Sequence, residues 1–122
     1  MNGIEQVCDY APNADDCEAA KLNFTKMDLP SALKGKALSQ RNVAACLEKG
    51  CDGAMAPDLP AACAWNMVVV TSNALTDSSD AANYRRTCMK AGKSGLANAR
   101  VMAEQAFRMI YKRKMPESPS MF

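Results

Sequence analysis

The sequence predicts an all-α domain stapled by disulfides, and three observations carry that reading. No window alternates apolar and polar residues, as a half-buried strand would; instead apolar residues recur at spacings of three and four. Aspartate followed by proline in the first turn recurs as a helix-start signal, at Asp28-Leu29-Pro30 and again at Asp58-Leu59-Pro60. Six cysteines occur in 122 residues with no histidine. The gaps between Cys8, Cys17, Cys46, Cys51, Cys63 and Cys88 contain no C-x-x-C pair, so a disulfide framework is expected rather than a zinc site.

The elements follow in chain order. Asn13 with Asp16 three residues on marks a first helix, whose stripe Cys17, Ala20, Phe24 and Met27 runs to Asp28. Asp28 is expected to cap a short second helix that Gly35 ends. A third helix, 36–49, places Leu38, the stem of Arg41 and Ala45 near one side, and Gly50 closes it. After a loop over 51–57, Asp58 caps a fourth helix to about Ser72, with Ala61, Ala64, Trp65, Val68 and Val69 on its core side. Residues 73–79 are polar and loop-like. A short helix over 80–90 stops near Gly92, with Ser94 as the next cap.

The last helix, 95–114, has the clearest two-sided pattern. Leu96, Ala99, Ala103, Ala106 and Ile110, flanked by Met102 and Phe107, form the apolar face; Asn98, Arg100, Gln105, Arg108 and Lys112 form the polar one. Residues 1–115 are thus expected to form a single helical domain, and 116–122, rich in proline and serine, a flexible tail.

The segment Gly35 to Met67, GKALSQRNVAACLEKGCDGAMAPDLPAACAWNM, resembles one unit of the Sel-one-like repeat family, relatives of the tetratricopeptide repeats. The resemblance covers about a third of the chain and rests on Gly35, Gln40, Asn42, Ala44, Gly50, Gly53, Asp58, Ala61 and Trp65. It implies a pair of antiparallel helices over 35–72, with Ala44 and Ala45 at their close approach and Trp65 supplying bulk. The aromatic residue usual late in the first helix is replaced around Cys46 and Leu47, and no second unit begins after Val70. One such pair cannot bury its own face, so flanking helices must cap it.

Within that hairpin, Cys46 and Cys63 occupy near-mirror positions and are the first-choice disulfide, with Cys46 to Cys51 as the rival if Gly50 bends the chain enough. Cys8 with Cys17 would staple the first helix, and Cys51 with Cys88 would tie the hairpin to the later helices.

Several function classes are disfavoured by composition. Without histidine, neither a Ser/His/Asp nor a Cys/His nucleophile can be assembled. The acid pairs Asp15-Asp16 and Asp77 with Asp80 sit at helix starts, where capping explains them. Gly92-Lys93-Ser94-Gly95 lacks the preceding strand and first glycine of a phosphate loop. The nine methionines are read as core filler rather than a soft-metal site. A net charge of +2 is too small to argue for nucleic acid, and the longest apolar stretch, 61–70, is too short to span a bilayer.

The expected function is therefore a periplasmic or secreted protein-protein interaction module with no catalytic activity, cofactor or metal, its signal peptide already removed. Arg41, Lys49, Asp52 and Asn66 are its candidate contacts. The alternative is a small inhibitor or immunity-type protein that binds a toxin or cell-wall enzyme, and a homodimer through the last helix is compatible with either.

Overall fold

The computed structural model describes residue 8 and residues 12–72 and 78–118. Every regular element among them is helical. Most of the expected polar loop at 73–79, and residues 119–122 of the expected tail, lie outside the described residues.

Helix α1 (Ala14–Asn23) begins as its sequence dictates. Asn13 is extended, and its side-chain oxygen accepts a hydrogen bond from the Asp16 amide at 3.0 Å, satisfying one orphan donor of the first turn. The helix then passes without a stop into a π-helical turn, Phe24–Asp28, and on into α2 (Leu29–Leu33). The cap expected at Asp28 is not made: this residue is itself helical and its side chain bonds no first-turn amide. The wider turn, closed by the Leu29 amide on the Phe24 carbonyl, carries the chain past the place where Pro30 would interrupt a regular helix. It also changes the advance per residue, so Met27, expected on the buried stripe, is 62% exposed while Cys17 and Phe24 stay buried.

Helix α3 (Ala37–Lys49) runs between two left-handed glycines, Gly35 (φ +93°) and Gly50 (φ +91°). Its buried face is Gln40, Val43, Ala44, Cys46, Leu47 and Glu48, not the expected Leu38, Arg41 and Ala45; Leu38 is 67% exposed and Ala45 faces solvent. The expectation failed because two polar residues, Gln40 and Glu48, belong to the core side and are bound there by partners distant in sequence.

After Gly50 the backbone stays left-handed through Cys51, Asp52 and Gly53 (φ +54°, +56° and +87°), and the Gly50 carbonyl accepts from the amides of Gly53 and Met55. The chain then enters α4 (Leu59–Thr71). Asp58 is extended and caps it, accepting from the Ala61 amide at 3.1 Å, and the Asp58 amide donates to the Leu47 carbonyl at 2.7 Å, pinning the start of α4 to the end of α3. The two D-L-P segments therefore share letters but not roles.

Helix α4 is buried on nearly every side, including Cys63, Met67, Val68 and Val69. Its wrapping comes from α5 (Ser78–Tyr111), a helical stretch broken at Gly92 (φ +76°, ψ 179°). Contacts on either side of that break give the direction of each arm. In the first arm Asp80 meets Arg41 and Lys90 meets Glu48, so it runs parallel to α3. In the second, Gly95 lies against Pro60 while Tyr111 bonds Gln40, so the chain has turned back. The expected stop near Gly92 thus corresponds to a reversal between two antiparallel arms.

Ala99, Ala103 and Phe107 of the second arm pack with Met67, Val68, Tyr84 and Cys88, and Met115 folds back into the same cluster at the edge of the expected tail. A second cluster joins Phe24, Ala32, Val43, Leu47, Met55 and Ala62, with α4 contributing to both.

A Cβ at Gly92 would meet nothing within 4 Å, so replacing it tests the backbone alone. Gly92→Ala should lower unfolding free energy by about 1–3 kcal/mol, the cost of that conformation for a residue with a side chain. Chemical denaturation measures it, and an unchanged midpoint would show that the reversal does not depend on glycine.

Candidate functional site

The six cysteines form three disulfides, Cys8–Cys17, Cys46–Cys51 and Cys63–Cys88, with Cα–Cα distances of 5.5, 4.4 and 4.7 Å. The N-terminal staple is the expected one. Cys46–Cys63 and Cys51–Cys88 are not formed, and the rival pairing of Cys46 with Cys51 is. Mirror positions in a hairpin need not face each other: Cys63 points from α4 toward Tyr84 and Cys88, whereas Cys46 packs with Phe24, Val43 and Met55. The left-handed bend at Gly50 brings Cys51 back over the last turn of α3, which regular helix would not allow. Three disulfides point to an oxidising environment.

Of the four candidate contact residues, the structure leaves two at the surface. Lys49 and Asp52 are exposed on either side of the Gly50 bend. Asn66 is 6% exposed, and its amide nitrogen donates to Thr87 Oγ1 at 3.0 Å and to the Asn83 carbonyl at 3.4 Å, so it ties α4 to α5. Arg41 is committed to Asp80 through a bidentate pair at 2.8 and 2.9 Å, with the Asp80 side chain almost wholly enclosed. Polar type at a helix position does not distinguish solvent from a partner 17 or 39 residues away.

Residues that sequence reasoning missed form a second such tie. Glu48, its side chain 2% exposed, accepts from Arg86 at 2.8 Å through both oxygens and from Lys90 at 3.2 Å. The Arg86 guanidinium, aided by Lys90, holds the Glu48 carboxyl down to about 2 against burial, which opposes the charge. Arg86 is raised in turn by the carboxylate. This direction suits a structural clamp: a carboxylate that low is a poor proton donor near neutral pH. Gln40, fully buried, donates to the Ala32 carbonyl and to Tyr111 Oη at 3.1 Å each, joining α2 and α3 to the far end of α5.

Between α4 and the second arm of α5 lies an apolar groove of about 170 Å³ lined by Ala61, Ala64, Trp65, Val68, Met102 and Ala106. Trp65, the single tryptophan, is only partly buried there. Its ring also borders the cluster of Val43 and Leu47, so one residue belongs both to the core and to the groove wall. Among the described residues no group of three or more His, Cys, Asp or Glu is arranged to hold a metal ion, and no helix is long and apolar enough to cross a membrane. No protein-family model, curated protein or solved structure matches the chain.

Two outcomes test these ties. Because the folded-state pKa of Glu48 lies below its ordinary value of 4.5, its contribution is present above about pH 4.5 and is lost as pH falls toward 2. Half-exposed Arg86 and Lys90 are screened, so the loss should be about 2 kcal/mol in acid unfolding, and Glu48→Gln should flatten that limb while lowering stability at neutral pH. Graded reduction should open Cys46–Cys51 first: Cys51 is the one partly exposed half-cystine, and closing a five-residue separation contributes about 2 kcal/mol against about 3.5 for the 25-residue span of Cys63–Cys88. Alkylation with peptide mapping reads the order, and early labelling of Cys63 or Cys88 would contradict it.

Proposed function

We propose that this protein is a periplasmic or secreted protein-binding module without catalytic activity, built around a Sel-one-like helix pair over 35–72, and that a partner places an apolar side chain in the groove beside Trp65. The observation that carries this reading is the Trp65 groove itself: an apolar recess on the central helix, walled on its other side by α5. Tryptophan at the mouth of a recess anchors protein interfaces because it buries large area with little loss of freedom, and methionine is enriched beside it because it adapts its shape. The frame around it suits the role. Ala99, Ala103 and Phe107 pack the second arm onto Met67 and Val68 of α4, and the Gln40–Tyr111 bond anchors its far end, so the groove walls are held together and binding would pay little ordering entropy. The disulfides also support an extracytoplasmic site of action. The Sel-one-like relationship is supported by the residues it rests on: Ala44 is buried, Gly50 and Gly53 are left-handed, Asp58 caps the second helix, and the two helices pack antiparallel.

Affinity capture from native envelope extract tests the reading. Wild type should retain a stoichiometric partner, and Ala106→Arg, which fills the groove from a partly exposed position, should lose it with its melting temperature kept within a few degrees of wild type. Equal retention by both proteins would place the interface elsewhere.

A further inference from the structure

Charge is distributed unevenly along the chain. Residues 78–118 carry nine Lys and Arg against three Asp and Glu, whereas residues 12–72 carry six against seven. Arg86 and Lys90 are spent on Glu48, and of the other seven all but Arg85 lie on the second arm of α5 and the segment that follows it: Lys93, Arg100, Arg108, Lys112, Arg113 and Lys114, with Glu104 and Glu117 as the acids there. Arg113 stacks over Phe107 at 4.8 Å from the ring centre, and the left-handed Lys112 turns the chain so that Lys114 returns along the helix.

That return builds two adjoining clefts, each about 260 Å³, on either side of Lys114. Arg108, Gln105 and Glu104 line one, Arg100, Glu104 and Glu117 the other. Three cations therefore converge around Glu104. Spacing along the helix places Arg100 and Arg108 on one edge of its outward face and Met102 and Ala106, the groove residues, toward the other edge. Exposed Val101 and Met109, at 57% and 56%, lie between.

We propose that the partner presents an acidic amphipathic helix, whose apolar side enters the Trp65 groove across Met109 and whose carboxylates reach the clefts around Lys114. The proposal rests on the protein-binding reading above and adds the chemistry of the partner. A lipid surface fits less well, because Trp65 lies in a recess and the residues that protrude here are Val101 and Met109 rather than the tryptophan, phenylalanine and leucine that a membrane-lying helix inserts. Cations flanking an apolar seam match instead the groove-and-rim arrangement by which a helix is captured.

The test uses the full chain and three probes: a peptide with leucine along one helical face and glutamate along the other, its lysine-for-glutamate counterpart, and phosphatidylglycerol vesicles. Trp65 fluorescence reads the groove directly. The acidic peptide should bind, shift Trp65 emission to the blue and weaken with added salt, and the lysine peptide should not bind. Arg100→Glu combined with Arg108→Glu should weaken the acidic peptide about tenfold, with Arg→Gln replacements at both positions giving a smaller loss in the same direction. Binding of the lysine peptide, indifference to the arginine replacements, vesicle binding in place of peptide binding, or no binding by the acidic peptide would each overturn the proposal. Ala106→Arg separates the two claims: peptide binding lost on that change but unmoved by the arginine reversals leaves the groove as an interface and removes the acidic partner. A failure of envelope capture bears on the interface itself.

Discussion

A helix apolar on every side cannot lie at a surface, and α4 is such a helix. From Leu59 to Thr71 it offers solvent almost nothing to solvate, so the remaining chain has to enclose it. That constraint accounts for the architecture. α3 covers one flank, and a single straight helix over 78–111 could cover only one more. The break at Gly92 turns this length into two arms, and both are laid along α4. Gly95 is buried close to Pro60, and a side chain there would meet Ala91 Cβ at 2.9 Å across the break, so the reversal needs a bare backbone at this position.

Hydrophobic enclosure sets which surfaces are hidden but says little about register. The polar ties set it. Arg41–Asp80 and Glu48–Arg86 join the two ends of α3 to successive turns of α5, while Asn66–Thr87 and Cys63–Cys88 fix α4 against the same arm. A buried pair is modest as a source of net stability, since desolvation offsets attraction. Its effect lies in exclusion: a shift by one helical turn would leave Glu48 or Asp80 enclosed and uncompensated, which costs several kcal/mol.

Much of this fold was legible in the sequence because it was written locally. Asn13 and Asp58 cap as their positions require, Gly35 and Gly50 bound α3, and Ala99, Ala103 and Phe107, four apart on the expected apolar side, are buried in the last arm. What failed depended on partners far along the chain. Gln40 and Glu48 look like surface residues until Tyr111 and Arg86 are brought to them, and discounting them turned α3 onto the wrong face. Asn66 and Arg41 are drawn inward in the same way, by Thr87 and Asp80. The pairing of Cys46 with Cys51 required a run of four left-handed residues, of which only the two glycines announce themselves.

The proposed binding surface follows from the same enclosure. The second arm of α5 spends its inner face on α4 and leaves an outer one edged by the Trp65 recess on one side and cations on the other, on a frame too cross-braced to reorganise. Everything on that surface is positioned by the burial of α4. Native-state hydrogen exchange measures this burial residue by residue. The amides of α4 within Leu59–Thr71 should be the slowest in the protein, exchanging only through global unfolding, with those of α1 many times faster. Exchange of α4 and α1 at similar rates would mean that α4 is not the enclosed axis of the fold.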